Sequence, residues 1–279
     1  MMSHTRFSGL ASLAVLAIFG APSAAAGAPA TRRALVGRCF ALVSAPLLVR
    51  AEGIESIRQA AASIPGYGQP DIYYPPAFRG RRIASRHVFD VSGLETPGLA
   101  TVAEEARRLA AGDYILYDVR FIVRDEHIIA DRGWNAETFM AAVRVGAGSD
   151  TIRPSADWSA SNPNILTLRD GLRLVEFKVT RRAVEQPMEN AFGASEYERV
   201  ADAGSDGILA AVPLIQARRV ETRYRWALPP DGQPVSTIEV LERVSWFDPT
   251  KTGFADLKSA SPSLVVKSRI EYARVRSTS

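Results

Sequence analysis

Alternation of apolar and polar residues with a period of two is the feature that most constrains the fold of this chain. In one segment Tyr117, Val119 and Phe121 alternate with charged residues, and in another Tyr224 and Trp226 do the same. Successive side chains of a β-strand point to opposite faces of a sheet, so this pattern indicates strands with one buried and one solvated face. Such strands are typical of antiparallel sheets.

The alternation recurs along most of the chain from residue 81 onward. Candidate strands lie near residues 81–92, 113–124, 126–132, 150–158, 164–169, 171–182, 195–202, 212–228, 235–248 and 262–276. Short turn signals such as Asn162-Pro163-Asn164 and Asp170-Gly171 separate them. The pattern predicts an all-β, mainly antiparallel domain that forms a single barrel. Because one or two of the ten segments are expected not to form strands, we predict about eight or nine strands.

Two segments of the body have helical spacing instead. Leu99, Val102 and Ala106 predict a short helix between the first two strands, and Asn135 begins a second helix. The insertion at residues 93–112 is longer than a usual hairpin connection. It either covers one mouth of the barrel or forms a decorative surface loop.

An aromatic, proline-rich link at residues 66–76 precedes the first strand and cannot continue a helix. It predicts an extended strap laid against the domain. The chain is therefore expected to comprise a targeting leader at residues 1–51, an N-terminal strap at 52–80 and a β-barrel domain at 81–279.

Charge is distributed unevenly between the leader and the rest of the chain. Residues 1–51 contain five basic residues and no acidic residue, whereas residues 52–279 contain 29 basic and 30 acidic residues. The body therefore gives no compositional reason to expect nucleic acid or an anionic membrane as a partner.

The leader contains two export-like units in series. The uncharged residues 10–30 end in small residues, which predicts a signal peptide cleaved near Ala26 rather than a spanning helix. Arg32-Arg33 and the apolar run 39–49 then resemble a twin-arginine signal cleaved near Ala51. Layered signals of this kind predict a plastid protein of the thylakoid lumen. The alternative is a single secretory signal and a secreted protein.

No constellation of residues predicts a reaction. Cys39, the only cysteine, lies in the leader, and His87 and His127 lack the paired spacing of zinc or iron ligands. No glycine-rich phosphate loop is present. We therefore expect neither a metal nor a cofactor.

Seven aromatic residues fall on the apolar strand faces and are expected to point into one interior: Tyr117, Phe121, Phe177, Tyr224, Trp226, Trp246 and Tyr272. The lumen of a small barrel is either filled by side chains or holds one small ligand. Arg223 and Arg225 are expected to form surface ion pairs. If one of them turned inward at a barrel mouth, it could instead bind a carboxylate or phosphate.

The sequence also resembles a lipocalin-like family of unknown function from cyanobacteria and plastids. The matching motifs are the link at 66–76, Tyr117-Asp118-Val119-Arg120-Phe121-Ile122, Ala130-Asp131-Arg132-Gly133-Trp134-Asn135, Ser195-Glu196-Tyr197 and Thr222-Arg223-Tyr224-Arg225. The resemblance implies a calycin-type barrel and a thylakoid lumen address, and it supplies no catalytic residue. A lipocalin-type first strand carries Gly-x-Trp, and Arg82 stands here at the tryptophan position.

These features are compatible with three functions. The first is the binding of a small hydrophobic molecule such as a lipid, pigment or quinone. The second is a non-enzymatic scaffold for a photosynthetic membrane complex, contacted through the strap or an arginine-rich face. The third is a pigment- or lipid-modifying enzyme, which needs groups such as His87, His127 or Asp131 to meet inside the barrel.

Overall fold

The computed structural model describes residues 70–93, 96–146, 153–185, 187–203, 213–230, 233–248 and 260–275. The strands in this part of the chain are β1 (Gly80–Gly93), β2 (Ile115–Arg124), β3 (His127–Ala130), β4 (Ser155–Ser159), β5 (Asn162–Asp170), β6 (Arg173–Val184), β7 (Ala191–Asp202), β8 (Leu214–Trp226), β9 (Thr237–Phe247) and β10 (Leu264–Arg274). Helix α1 (Ala100–Ala111) follows β1, and helix α2 (Arg132–Gly146) follows β3. Among the described residues, no helix is both long and apolar enough to span a membrane.

All ten strands belong to one sheet, ordered β3-β2-β1-β10-β9-β8-β7-β6-β5-β4, and every neighbouring pair is antiparallel. The pairing of β1 with β10 folds the meander back on itself. The two edge strands, β3 and β4, do not pair, and α2 packs against β2 as well as against β4 and β5. The sheet is thus a half-barrel whose gap is filled by a helix. This confirms the all-β antiparallel prediction, with ten strands in place of eight or nine, and is compatible with a calycin-like fold.

Hydrogen bonds to one residue of β2 explain where the sheet ends. The backbone N–H of Arg120 donates to Asn135 Oδ1 at 2.7 Å, and the Arg120 carbonyl accepts from the Asp131 N–H at 3.0 Å and from Asn135 Nδ2 at 3.2 Å. These contacts occupy the edge that a longer β3 would use. Asp131 Oδ1 also accepts from the Trp134 N–H, so the helix is capped there and starts three residues before the predicted Asn135.

The insertion between β1 and β2 covers one mouth of the half-barrel. Val102, Ala103 and Ala106 of α1 are buried in the main core. Just before the helix, the Gly98 carbonyl accepts a hydrogen bond from the side chain of Gln216, near the start of β8. Of the two alternatives for this insertion, the structure therefore shows the cover.

Residues 70–79 cross the opposite end of the half-barrel. Ile72 and Phe78 are buried, and the Tyr74 N–H donates to the Ile128 carbonyl of β3 at 2.8 Å. This part of the chain is extended apart from one short turn at Pro76–Phe78. The rest of the predicted strap, residues 52–69, lies outside the described residues.

Candidate ligand-binding interior

All seven aromatic residues that the alternation predicted to face inward lie on the inner face of the sheet. Tyr272 is partly buried against the core, and the other six are buried: Tyr117, Phe121, Phe177, Tyr224, Trp226 and Trp246. They are distributed along the whole interior rather than gathered in one pocket.

The strap fills the end of the interior that it crosses. The Phe78 ring lies 5.1 Å from that of Phe121, 5.0 Å from that of Tyr224 and 5.8 Å from that of Trp226, all close to edge-on. Tyr74 lies 4.9 Å from Phe121. These are ordinary aromatic packing distances, so the chain's own side chains occupy the place of a ligand at this end.

A central polar cluster lies between the strap end and α1. Arg86 of β1 reaches Glu242 of β9 with two contacts of 2.6 and 3.1 Å, and its Nε lies 3.3 Å from the Tyr117 hydroxyl. Its guanidinium also stacks over Phe139 of α2 at 4.9 Å. The cluster consists of Arg86, Glu242, Tyr117, Thr222 and Tyr272; Thr222 lies directly opposite Glu242 in the β8–β9 register.

Protonation states in the cluster follow from its burial. Desolvation raises the pKa of Tyr117 and raises that of Tyr272 well above its ordinary value. Burial alone would lower the pKa of Arg86, but Glu242 and Tyr117 outweigh it and the pKa of Arg86 rises. At neutral pH the cluster therefore presents protonated phenols beside a charged, paired guanidinium.

The middle of the half-barrel is less densely filled than its strap end. Val220, Thr222, Glu242 and Tyr272 all lie on the inner face, yet each keeps partial solvent exposure. Side chains in a packed protein interior leave almost no space for solvent. Partial exposure at the adjoining positions Val220, Thr222 and Glu242, and at Tyr272 farther along β10, therefore indicates space beside the central polar cluster.

A second inward arginine lies towards α1. Arg218 pairs with Glu198 at 2.5 Å, and its guanidinium lies 4.4 Å from the Phe177 ring and 5.4 Å from the Trp246 ring. The indole N–H of Trp246 is buried and has no hydrogen-bond partner among the described residues.

Arg82, at the position of the lipocalin tryptophan, closes the strap end by hydrogen bonding. Its side chain is 0% exposed. It donates to four backbone carbonyls, those of Ala77, Val235, Ser236 and Tyr272. Burial, reinforced by nearby Arg274, lowers the pKa of Arg82 to about 10, so the group stays charged at neutral pH. The arginine thus joins the strap to β10 and to the segment before β9.

The remaining candidates lie away from the interior. Arg223 and Arg225 are exposed on the outer face, where Arg223 lies 3.7 Å from Glu185. His87 also faces outward, beside Tyr114, and His127 is exposed on β3 against Tyr73.

Asp131 caps α2 and pairs with Arg120. The three groups that an enzyme in the barrel was expected to use therefore do not meet inside it. The predicted cleavage sites, Ala26 and Ala51, lie outside the described residues.

Arg86, Glu242 and Tyr74 are site residues that were not predicted from the sequence. A usable signal was present, since Arg86 follows Ala84 at the strand period and Glu242 sits between Val240 and Val244. A charged residue at a position that alternation turns inward is the mark of such a site.

Comparison with known proteins assigns the chain to a family. The model of a family described as a domain of unknown function, DUF6816, matches residues 66–276. No curated protein and no solved structure matches the chain. Since the match runs from the proline-rich link to just beyond β10 and covers well over half of the sequence, the chain belongs to the DUF6816 family.

Proposed function

We propose that this protein binds one small, largely apolar molecule in the middle of its half-barrel. The observation that carries the proposal is the partial exposure of Val220, Thr222, Glu242 and Tyr272 on the inner face. The strap and α1 cover the two ends, so a molecule in this space would be enclosed.

The lining favours a molecule such as a lipid, pigment or quinone. Val240, Val244 and Ile270 are buried on the inner face beside the space, and Phe177 extends the apolar wall towards α1. The polar groups beside the space are paired with one another: Arg86 with Glu242, Arg218 with Glu198, and Glu196, opposite Val220, with Arg132 and Arg182. A mostly apolar lining with a few placed polar groups is the usual composition of a small-molecule site.

Native mass spectrometry of the protein purified from its own host tests this proposal. We expect an apolar molecule to co-purify at about one per chain and to be recovered by organic extraction. A bare mass in repeated preparations, together with no uptake of the neutral apolar dye Nile red, would contradict it.

Filling the space provides a matched test. Val220→Phe should abolish Nile red binding while leaving the protein folded, because it adds volume where the interior is open. Leu241→Phe adds similar volume on the outer face of β9, where Leu241 is 52% exposed, and should leave binding unchanged.

We also propose that the protein resides in the thylakoid lumen of a plastid. The support is the acid-free leader with Arg32-Arg33 and two successive apolar runs. Residues 1–51 fused to a fluorescent protein should reach the lumen, and replacing both arginines by lysine should stop the fusion at the stroma. Secretion of the unmodified fusion would contradict the proposal.

A scaffold function is the second candidate, favoured by exposed apolar side chains on the outer face near β1 and β2. Ile83 is 45% exposed and Tyr114 and Leu116 are each 63% exposed. Phe78 of the strap is buried, so this outer face would contact a photosynthetic complex. A photo-crosslinker at position 116 should then capture a defined membrane protein, whereas one at position 241 should not.

A further inference from the structure

The polar side of the proposed site is already neutral before any ligand enters. Arg86 uses two of its N–H groups on Glu242 and a third on Tyr117. A bidentate pair of this kind leaves the guanidinium little capacity to attract a second carboxylate. The Arg86 side chain is 10% exposed and that of Glu242 is 14% exposed, so both groups are largely desolvated.

A second inward arginine, towards α1, is matched in the same way. Arg218 is bound by Glu198 and held between the rings of Phe177 and Trp246. Neither Arg86 nor Arg218 therefore offers an unneutralised positive charge to the middle of the half-barrel.

Hydroxyl groups of the described residues also face the space, whereas Glu196, opposite Val220, is already bound by Arg132 and Arg182. Thr222 lies opposite Glu242, and its hydroxyl donates to the Ala194 carbonyl at 3.5 Å, so towards a ligand it acts through its oxygen. The charges of Glu242 and Arg86 act on the Tyr272 hydroxyl. Because burial raises the pKa of Tyr272, this phenol remains a neutral hydrogen-bond donor.

We propose that the bound molecule carries an uncharged oxygen group, an alcohol or a ketone or quinone carbonyl, and that Glu242 excludes carboxylates from the site. This inference rests on the proposed function. An alcohol or a carbonyl can accept a hydrogen bond from the Tyr272 phenol, and an alcohol can also donate to the Thr222 oxygen, without a counter-ion. A ligand carboxylate would lie beside Glu242 in a desolvated space and would find Arg86 and Arg218 already paired with carboxylates, which is costly.

Two probes of equal chain length test the inference. Binding of 1-hexadecanol and of hexadecanoate is measured by displacement of Nile red at about pH 8, where the acid is ionised. The full protein should bind the alcohol more tightly by on the order of tenfold or more. Equal affinity for the two probes would overturn the inference and leave the proposed function standing.

Removing the negative charge should change this preference. In Glu242→Gln, Arg86 is released from its partner, so the affinity for hexadecanoate should rise by about tenfold while that for hexadecanol changes little. The control is Glu239→Gln, a carboxylate on the exposed face of the same strand, which should alter neither affinity. Unchanged hexadecanoate binding in a folded Glu242→Gln protein would overturn the inference.

A double variant separates charge from disturbed packing. Arg86→Gln combined with Glu242→Gln removes both charges, so the gain in hexadecanoate binding should disappear. If the gain persisted, Arg86 would not be its source and the inference would fail. Failure of the wild-type protein to bind Nile red or either probe would instead reject the proposed function and the inference with it.

Discussion

Glu196 joins the strap to the sheet through two arginines, and removing its charge is expected to weaken that junction. Its carboxylate accepts hydrogen bonds from Arg132 of α2 at 2.6 and 3.0 Å and from Arg182 of β6 at 2.5 Å. Arg132 also contacts Asp71 of the strap at 3.0 Å, and Arg182 donates to the Pro70 carbonyl. One buried carboxylate therefore organises contacts among β7, β6, α2 and the strap.

The size of this effect follows from the pKa of Glu196. Burial alone would raise it, but Arg132 and Arg182 outweigh burial and lower the pKa from 4.5 to about 2. A difference of this size corresponds to about 3 kcal/mol in the free energy of unfolding. Because the folded-state pKa is depressed, the contribution is fully present above about pH 4.5 and is lost as the pH falls towards 2.

Glu196→Gln should therefore lower the free energy of unfolding by about 3 kcal/mol at neutral pH, measured by urea denaturation with tryptophan fluorescence. The deficit relative to wild type should shrink as the pH falls from about 4.5 towards 2. Glu176→Gln is the control: this carboxylate is 38% exposed, pairs with Arg199 at 3.1 Å and should change stability by less than about 1 kcal/mol. A Glu196→Gln deficit that stayed constant over this pH range would refute the reasoning.

Three further substitutions test other parts of the fold by the same denaturation assay. Burial raises the pKa of Glu105 in α1 to about 9, so the free energy of unfolding of the wild-type protein should decline between about pH 4.5 and 9. Glu105→Gln should remove that decline and raise the free energy of unfolding by up to about 3 kcal/mol at neutral pH. A pH profile that Glu105→Gln leaves unchanged would contradict this. Arg82→Met leaves four buried carbonyl groups without their hydrogen-bond donor and should lower the free energy of unfolding by several kcal/mol, at least about 3. Arg81→Met on the outer face should leave the denaturation midpoint unchanged. Similar midpoints for the two variants would argue against the carbonyl contacts. Trp226→Ala should cost about 3–5 kcal/mol without changing Nile red affinity in the folded protein, because Trp226 packs on Phe78 rather than on the open space; a loss of affinity would place it in the site.

The strands could be predicted from the sequence because the sheet has one buried and one solvated face. Each of the ten candidate segments contains or overlaps an observed strand, although the expected count of eight or nine allowed one or two of them not to form strands. Burial of one face is a local property of a strand, and a period of two records it directly.

The gap in the barrel could not be predicted in the same way. It depends on the side chain of Asn135 binding both backbone groups of Arg120, a contact between residues fifteen positions apart. The apolar period of β2 and β3 contains no information about which polar side chain ends their pairing. A helix that fills a gap and a helix that decorates a closed barrel have the same apolar spacing.

The candidate site shows the same division. Alternation was sufficient to predict that the aromatic residues face inward, and it would have predicted the same for Arg86 and Glu242. Their pairing, however, joins residues 156 positions apart and requires β10 to lie between β1 and β9. Only the strand order shows that the two charges neutralise each other, and that neutrality determines which ligand chemistry the interior favours.

Stability alone does not explain why charges are placed in the middle of the half-barrel. Replacing a buried ion pair by well-packed apolar residues is often neutral or stabilising, so Arg86 and Glu242 are not needed merely to hold β1 near β9. At the strap end, by contrast, buried charges have a holding role, because Arg132 and Arg182 bind Glu196 of β7 together with Asp71 and Pro70 of the strap. The matched pair lies instead beside the inward positions that remain partly exposed. A polar but uncharged surface at that point is what a site selecting a neutral oxygen group on an apolar molecule requires.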